Sequence, residues 1–461
     1  MSAKRRGSRN LPTPEEAADS DALQPLYRDV AGIDVHSKVH FVSVPPDRDA
    51  EPVRTFECLT PDLYDLADWL AQCGIRRVVM ESTGVYWVPV FRVLEERGFD
   101  VALVDARQSR NVPGRKTDPH DARWLRRLHS YGLLNKCFVP PAQVVELREY
   151  WRVRGTLVQA CAQAIHRMHK ALEQMNVQLH KVLSDVTGVT GMQILRAIVA
   201  GERDPERLAG LPHPDIKAVA ATLQKALTGC WRREQLFALR QALETYDFHQ
   251  GQLAQLDAVL QACLAGFVAS DEEAVPATPP RGKRRKNQPN FDLRAELARV
   301  LGVDAAKIDG LDAVTVQAVI AETGPDLSAW SSEKRFCSWL KLCPSPEVSG
   351  GKARRGKRRP PNRAGQALKV AAMSLERSDS ALGGFYRRMK AAHGPGTAVK
   401  AAAHKLARLL YRVVRYGEEY VDQGQLAYEA QYRERRRAAF VRQAQDFGFT
   451  LVPTANGEGV S

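Results

Sequence analysis

The chain has 461 residues, 44% of them hydrophobic, with a formal net charge of +14 and a pI of about 9.5. A mean hydropathy of −0.35 and the lack of any run approaching the ~18 apolar residues of a membrane span argue against a membrane protein. The basic balance predicts a polyanionic partner, nucleic acid first. At this length two to four structural units are expected.

The first residues, "MSAKRRGSRNLPTPEEAADSDALQ", are polar and lack an apolar core, so 1–28 is expected to be a disordered tail rather than a signal peptide. From Val30 the pattern turns strand-like. "VAGIDVH" is a short apolar run, "VHFVSV" alternates behind it, and "VRTFECL" gives a third strand. "TPDLYDLADWLAQC" reads as a helix with Thr60 as cap and Pro61 at its first position. "RRVVMEST" is a fourth strand, "VPVFRVLEERG" a helix closed by Gly98, and "DVALVD" a fifth strand. Short links among the first three strands predict antiparallel pairing, and the later helical crossovers predict parallel additions. That mixed sheet, over 29–141, is a ribonuclease H-like arrangement.

Over 142–270 the character changes. Leu147, Trp151, Val158, Ile165, Met168, Leu172, Met175 and Leu179 recur at helical spacing, which predicts a long amphipathic helix or coiled coil. A second long helix is expected from about Asp215 to Leu264. Residues 271–290, "DEEAVPATPPRGKRRKNQPN", are a proline-rich basic linker. Beyond it a mainly helical domain is expected over 291–422, and "QYRERRRAAFVRQ" opens a charged helix within a tail over 423–461. "IDGLDAVTVQAVIAETG" resembles a helix-hairpin-helix unit, but Asp312 stands where a second glycine belongs, so a phosphate-binding turn and a purely structural hairpin both remain open. The eight cysteines form no C-x-x-C pair and read as thiols of a reducing cytoplasm.

"KTDPHDARWL", 116–125, carries the chemistry. Its plainest reading is a helix start: Asp118 caps, Pro119 follows, and Asp121 complements the helix dipole. The sharper reading joins these acids to two others. Asp34 lies within the first strand, where a carboxylate is costly to bury unless it is paired or binds a cation. Glu81 ends the fourth strand, which neighbours the first in a mixed sheet. In a ribonuclease H-like sheet all four converge, and their mutual repulsion is relieved by Mg²⁺. Downstream, Ser349 in "VSGGK" is followed by two glycines that let backbone amides approach a phosphate and by Lys352. A flexible Ser-Gly-Gly turn is the competing reading. The run Lys352, Arg354, Arg355, Lys357, Arg358, Arg359 suits backbone phosphates rather than bases. His404 and Lys405 are assigned no catalytic role.

Six segments, "GIDVHSKVHFV", "VVMESTGVYWVPV", "DARQSRNVPGRKTDPHDARWL", "DVTGVTGMQILRAIVAGERDP", "LKLCPSPEVSGGKARRGK" and "AAAHKLARLLY", resemble in that order the insertion-sequence one-ten family of transposases. These are DEDD enzymes understood as bridge-RNA-guided recombinases. The resemblance implies a RuvC-like domain, a coiled-coil middle and a C-terminal serine transposase domain. It also implies Asp34, Glu81, Asp118 and Asp121 as Mg²⁺-binding catalytic acids and Ser349 as nucleophile, with Ser345 the second choice. Donor and target DNA, a structured guide RNA and a homo-oligomer (dimer or tetramer) are the implied partners, in a cytoplasmic, nucleoid-associated bacterial or archaeal protein. A RuvC-like nuclease without serine chemistry and a catalytically inactive nucleic-acid-binding protein are the rival readings.

Overall fold

The computed structural model describes residues 24–107, 118–211, 220–268, 287–343, 346–349, 352–355, 360–417 and 419–450; at 118, 119, 220, 346–349 and 352–355 it describes the backbone only. The chain divides into two compact units, Met1–Val139 and Pro140–Ser461. Of the segments expected to be irregular, the N-terminal tail lies outside the described residues up to 23, the basic linker up to 286, and the C-terminal tail from 451.

The first unit is a five-stranded mixed sheet with three helices. Strands β1 (Val30–Val35), β2 (Val39–Ser43) and β3 (Val53–Glu57) precede α1 (Thr60–Gln72), β4 (Arg77–Glu81), α2 (Trp87–Glu96), β5 (Asp100–Val104) and α3 (Asp118–Ser130). The spatial order is β3-β2-β1-β4-β5. β1 pairs antiparallel with β2 and parallel with β4, which pairs parallel with β5, as the link lengths predict. The architecture is consistent with a ribonuclease H-like sheet. β1 is covered on both faces, which is why its sequence is a near-continuous apolar run. Ala31, Ile33, Val35, Val78 and Met80 pack with Leu66, Leu70, Val90 and Leu94 on one face. Val30, Val79, Ala102 and Val104 pack with Leu125 on the other. One detail departs from expectation at α1. Thr60 is already helical, Leu59 takes the cap position, and no side chain caps the helix; Pro61, lacking an N–H, removes one of the donors a cap would serve.

Among the described residues the second unit is helical apart from one hairpin. It begins with α4 (Ala142–Gln174), α5 (Leu179–Val182), α6 (Val189–Ala200), α7 (Pro205–Ala209), α8 (Ala220–Leu227) and α9 (Arg233–Ala265). α4 and α9 run antiparallel, with Arg154 meeting Asp257 at 2.7 Å and Cys161 meeting Gln250 at 3.5 Å. Leu147, Met168 and Leu172 of the expected stripe are fully buried. The second long helix is not continuous from Asp215, which itself lies outside the described residues. It breaks between α8 and α9, where Cys230 N donates to Met175 O and Gln178 N to Ala226 O. A Cβ at Gly229 would stand 2.6 Å from Met175 O, so this crossing requires glycine.

The remainder comprises α10 (Leu293–Leu301), a 3-10 turn at Ala305–Lys307, α11 (Ala313–Thr323), α12 (Glu333–Trp339), strands β6 (Pro346–Ser349) and β7 (Lys352–Arg355), α13 (Arg363–Ser374), α14 (Ala381–His393), α15 (Pro395–Tyr416) and α16 (Gly424–Asp446). Asp312 caps α11, accepting hydrogen bonds from Thr315 N at 2.8 Å and Thr315 Oγ1 at 2.7 Å. Its carboxylate therefore takes an amide that a phosphate would need, which favours the structural hairpin. Among the described residues no helix is long and apolar enough to cross a membrane.

Candidate active site

The β1–β4 register pairs Gly32 with Val79 and Ile33 with Met80. One further step brings Asp34 level with Glu81, at the carboxyl ends of two parallel neighbours. Side chains two apart along a strand share a face, so Asp34 follows Gly32 and Glu81 follows Val79 on the face that α3 covers. Asp34 is largely enclosed, with 14% of its side chain exposed. His36 Nε2 stands 3.1 Å from Asp34 Oδ2 and donates to it when that nitrogen carries the proton.

Gly32 sets how closely α3 approaches. A Cβ there would lie 2.3 Å from Ala122 O and 2.6 Å from Arg126 N. The other end of α3 is tied to the start of the sheet, where Tyr27 N donates to Ser130 O at 3.0 Å. α3 therefore runs antiparallel to β1, and its first turn, Asp118 to Asp121, overlies the end of β1 that carries Asp34. The backbone thus places Asp34, Glu81 and the first turn of α3 at the carboxyl-terminal end of the same two strands. Among the described residues, however, no group of three His, Cys, Asp or Glu is placed to hold a metal ion. The Asp118 side chain lies outside them.

Arg126, one turn further along α3 and also against Gly32, was not singled out by sequence reasoning. Its Nε is buried, and among the described residues it has no hydrogen-bond partner. Burial lowers its pKa, and the charges of Arg123 and Arg127 add to that shift. The signal was available in sequence, because Arg126 falls four residues after Ala122 on the face that meets β1.

The candidate serine stands on the second unit. Ser349 ends β6 and is the cross-strand partner of Lys352, with Val348 opposite Ala353, Glu347 opposite Arg354 and Pro346 opposite Arg355. Sequence reasoning placed no strands here. The base of the hairpin is held where Asn362 Nδ2 donates to Trp339 O at 3.2 Å. There a Cβ on Gly365 would come within 2.4 Å of Leu340 O. Lys352, Arg354 and Arg355 form most of β7. Ser345, Lys357, Arg358 and Arg359 lie outside the described residues, as do the side chains of Ser349 and β7. His404 is half-buried, its pKa lowered by burial and then by Arg408.

The sheet carries acids at the ends of neighbouring strands, and the hairpin carries a serine beside basic residues; the comparisons give the class, an enzyme that acts on DNA. A family model described as Transposase, of the DEDD type, matches residues 31–177, and the Transposase IS116/IS110/IS902 family model matches residues 305–387. No curated protein matches the chain. The chain belongs to the IS110 family of transposases.

Proposed function

We propose that this transposase joins RNA-specified donor and target DNA sites through a phosphoserine–DNA intermediate. Asp34, Glu81, Asp118 and Asp121 form its Mg²⁺-binding set, and Ser349 is its nucleophile. The observation that supports the acidic set best is the register that aligns Asp34 with Glu81 beneath the first turn of α3. An all-carboxylate donor set is hard and oxygen-only, which fits Mg²⁺ rather than a softer metal. An ion held by these residues would supply neutralisation of charge developing on phosphate oxygens.

The residues supply the rest. Ser349 Oγ attacks a DNA phosphorus, an O–P bond forms, and the bond from phosphorus to one sugar oxygen breaks. The serine proton is taken up by the departing oxygen, which leaves as a hydroxyl. Rejoining reverses these steps with the hydroxyl of the exchanged strand. A serine hydroxyl is a weak nucleophile until a base removes its proton. Lys352, the cross-strand partner of Ser349, counters the charge building on the phosphate. Arg354 and Arg355, with Lys357, Arg358 and Arg359, hold the DNA backbone. Such contacts position the duplex without reading it, which suits delegating sequence choice to pairing with a guide RNA. A homo-oligomer, dimer or tetramer, is the assembly this reading expects.

The acidic set is tested by Asp34→Asn in a cleavage and strand-transfer assay with guide RNA and both DNA partners. Cleavage should be lost while DNA binding and melting temperature stay at wild-type values. Unchanged recombination by that variant removes the metal-site assignment.

A further inference from the structure

Lys405 belongs to a second arrangement of charge, remote in sequence from the serine hairpin. Helical spacing builds it. Phe385 and Arg388 are three apart on α14, Lys405 and Leu409 four apart on α15, and Tyr428, Tyr432 and Arg435 recur at four and three on α16. Each set shares one helix face. The three faces line a recess of about 390 Å³. α16 lies close against α14, since a Cβ at Gly384 would stand 3.1 Å from Tyr428 Cδ1.

The recess gathers positive charge. The Arg388 guanidinium lies 3.8 Å from the Tyr432 ring centroid and 5.3 Å from that of Tyr428. Lys405 Nζ lies 4.7 Å from the Phe385 centroid. Ring faces offset part of the cost of enclosing these cations. Carboxylates do not: among the described residues none is ion-paired with Arg388, Lys405 or Arg435. Asp422 lines the recess, but its Oδ1 accepts from Ala381 N at 2.9 Å. Burial lowers the Lys405 pKa, and the charges of Arg388, Arg408 and Arg435 lower it further. Three helices held together by packing alone would be served better by leucines than by cations that repel one another.

We infer that this recess is a nucleic-acid site that receives a backbone phosphate of a single strand between Arg388, Lys405 and Arg435, with Tyr428 and Tyr432 beside the adjoining sugar and base. Its size admits one strand and not a duplex, and cations interleaved with aromatic rings are the usual equipment of single-strand grooves. The inference rests on the chain acting on nucleic acid, but on no step of the serine chemistry. DNA and RNA share the phosphate chemistry, so both serve as probes.

The test uses the full chain, the double variant Arg388→Gln/Lys405→Gln, and single-stranded DNA and RNA oligonucleotides of one sequence in a salt titration of binding. The double variant should bind at least one of the two about tenfold more weakly. Its slope of log affinity against log salt should fall by about 0.7 for each phosphate that is no longer neutralised. The strand that shows the effect identifies the source of the phosphate. Inorganic pyrophosphate should raise the melting temperature of wild type and leave that of the variant unmoved, and Lys405→Arg should retain binding. A folded double variant with unchanged affinity and slope for both strands overturns the inference. So does stabilisation by poly-glutamate equal to that by pyrophosphate, which would make the recess an acidic-peptide site. Loss of the protein–DNA adduct in Ser349→Ala, or its absence in wild type, leaves this binding result untouched, so the two readings fail separately.

Discussion

A Cβ placed on Gly32 would lie 2.3 Å from the carbonyl oxygen of Ala122. That approach is backbone against backbone, so no side chain can rotate to relieve it. Gly32→Ala should push α3 off β1 and draw its first turn, with Asp118 and Asp121, away from Asp34. The expected cost is about 1–3 kcal/mol, the usual range for overpacking, seen as a lowered midpoint in urea unfolding. Cleavage should fall by more than the stability loss accounts for. A variant with wild-type stability and activity would show that α3 need not sit so close.

The Arg154–Asp257 pair holds the long helices of the second unit together. Its side chains are 6% and 3% exposed. Asp257 also accepts from Asn290 N at 2.8 Å, and Arg154 donates to Asn287 O at 2.9 Å, so the pair fastens the last residues of the linker. Asp257→Asn should destabilise by about 3–5 kcal/mol by stranding a buried guanidinium, whereas Arg154→Met/Asp257→Leu should recover most of that. Calorimetry of the two variants checks this. Equal destabilisation by both would mean that the backbone hydrogen bonds, and not the stranded charge, dominate.

His129 on α3 is 4% exposed, and burial lowers its pKa, with the charge of Lys136 adding to the shift. The folded state therefore binds fewer protons here than the unfolded chain. Its stability contribution is complete above the ordinary histidine pKa of about 6.5 and is lost as pH falls below that value. The slope should reach at most about 1.4 kcal/mol per pH unit for this one group. Melting temperatures between pH 7.5 and pH 5 should drop less steeply in His129→Phe than in wild type. Identical profiles would show that His129 is not a source of the acid lability.

The sheet was legible because its strands are short apolar runs punctuated by turns and its helices open at proline. Asp34 stood out as a charge inside such a run, and Asp118 and Asp121 through the cap pattern around Pro119. The serine hairpin was not legible. β6 and β7 have four residues each, too few for "PEVS" to establish a period, and "KARR" is cationic at three of its four positions. Nor was the Arg154–Asp257 pair, which joins positions 103 residues apart through an interaction that no local periodicity encodes. The break before α9 is marked locally only by Gly229, and what requires glycine there is the approach of Met175, 54 residues earlier in the chain.

The central claim is that Ser349 becomes covalently joined to DNA. Wild-type protein should be incubated with guide RNA and both DNA partners, then denatured, digested and analysed by mass spectrometry. A nucleotide–peptide adduct should map to Ser349, survive denaturation, and vanish in Ser349→Ala while DNA and RNA binding persist. Adducts that persist in Ser349→Ala and vanish in Ser345→Ala would move the nucleophile to Ser345. Cleavage by wild type with no adduct, together with full activity of both alanine variants, would contradict the account and leave a metal-dependent nuclease in its place.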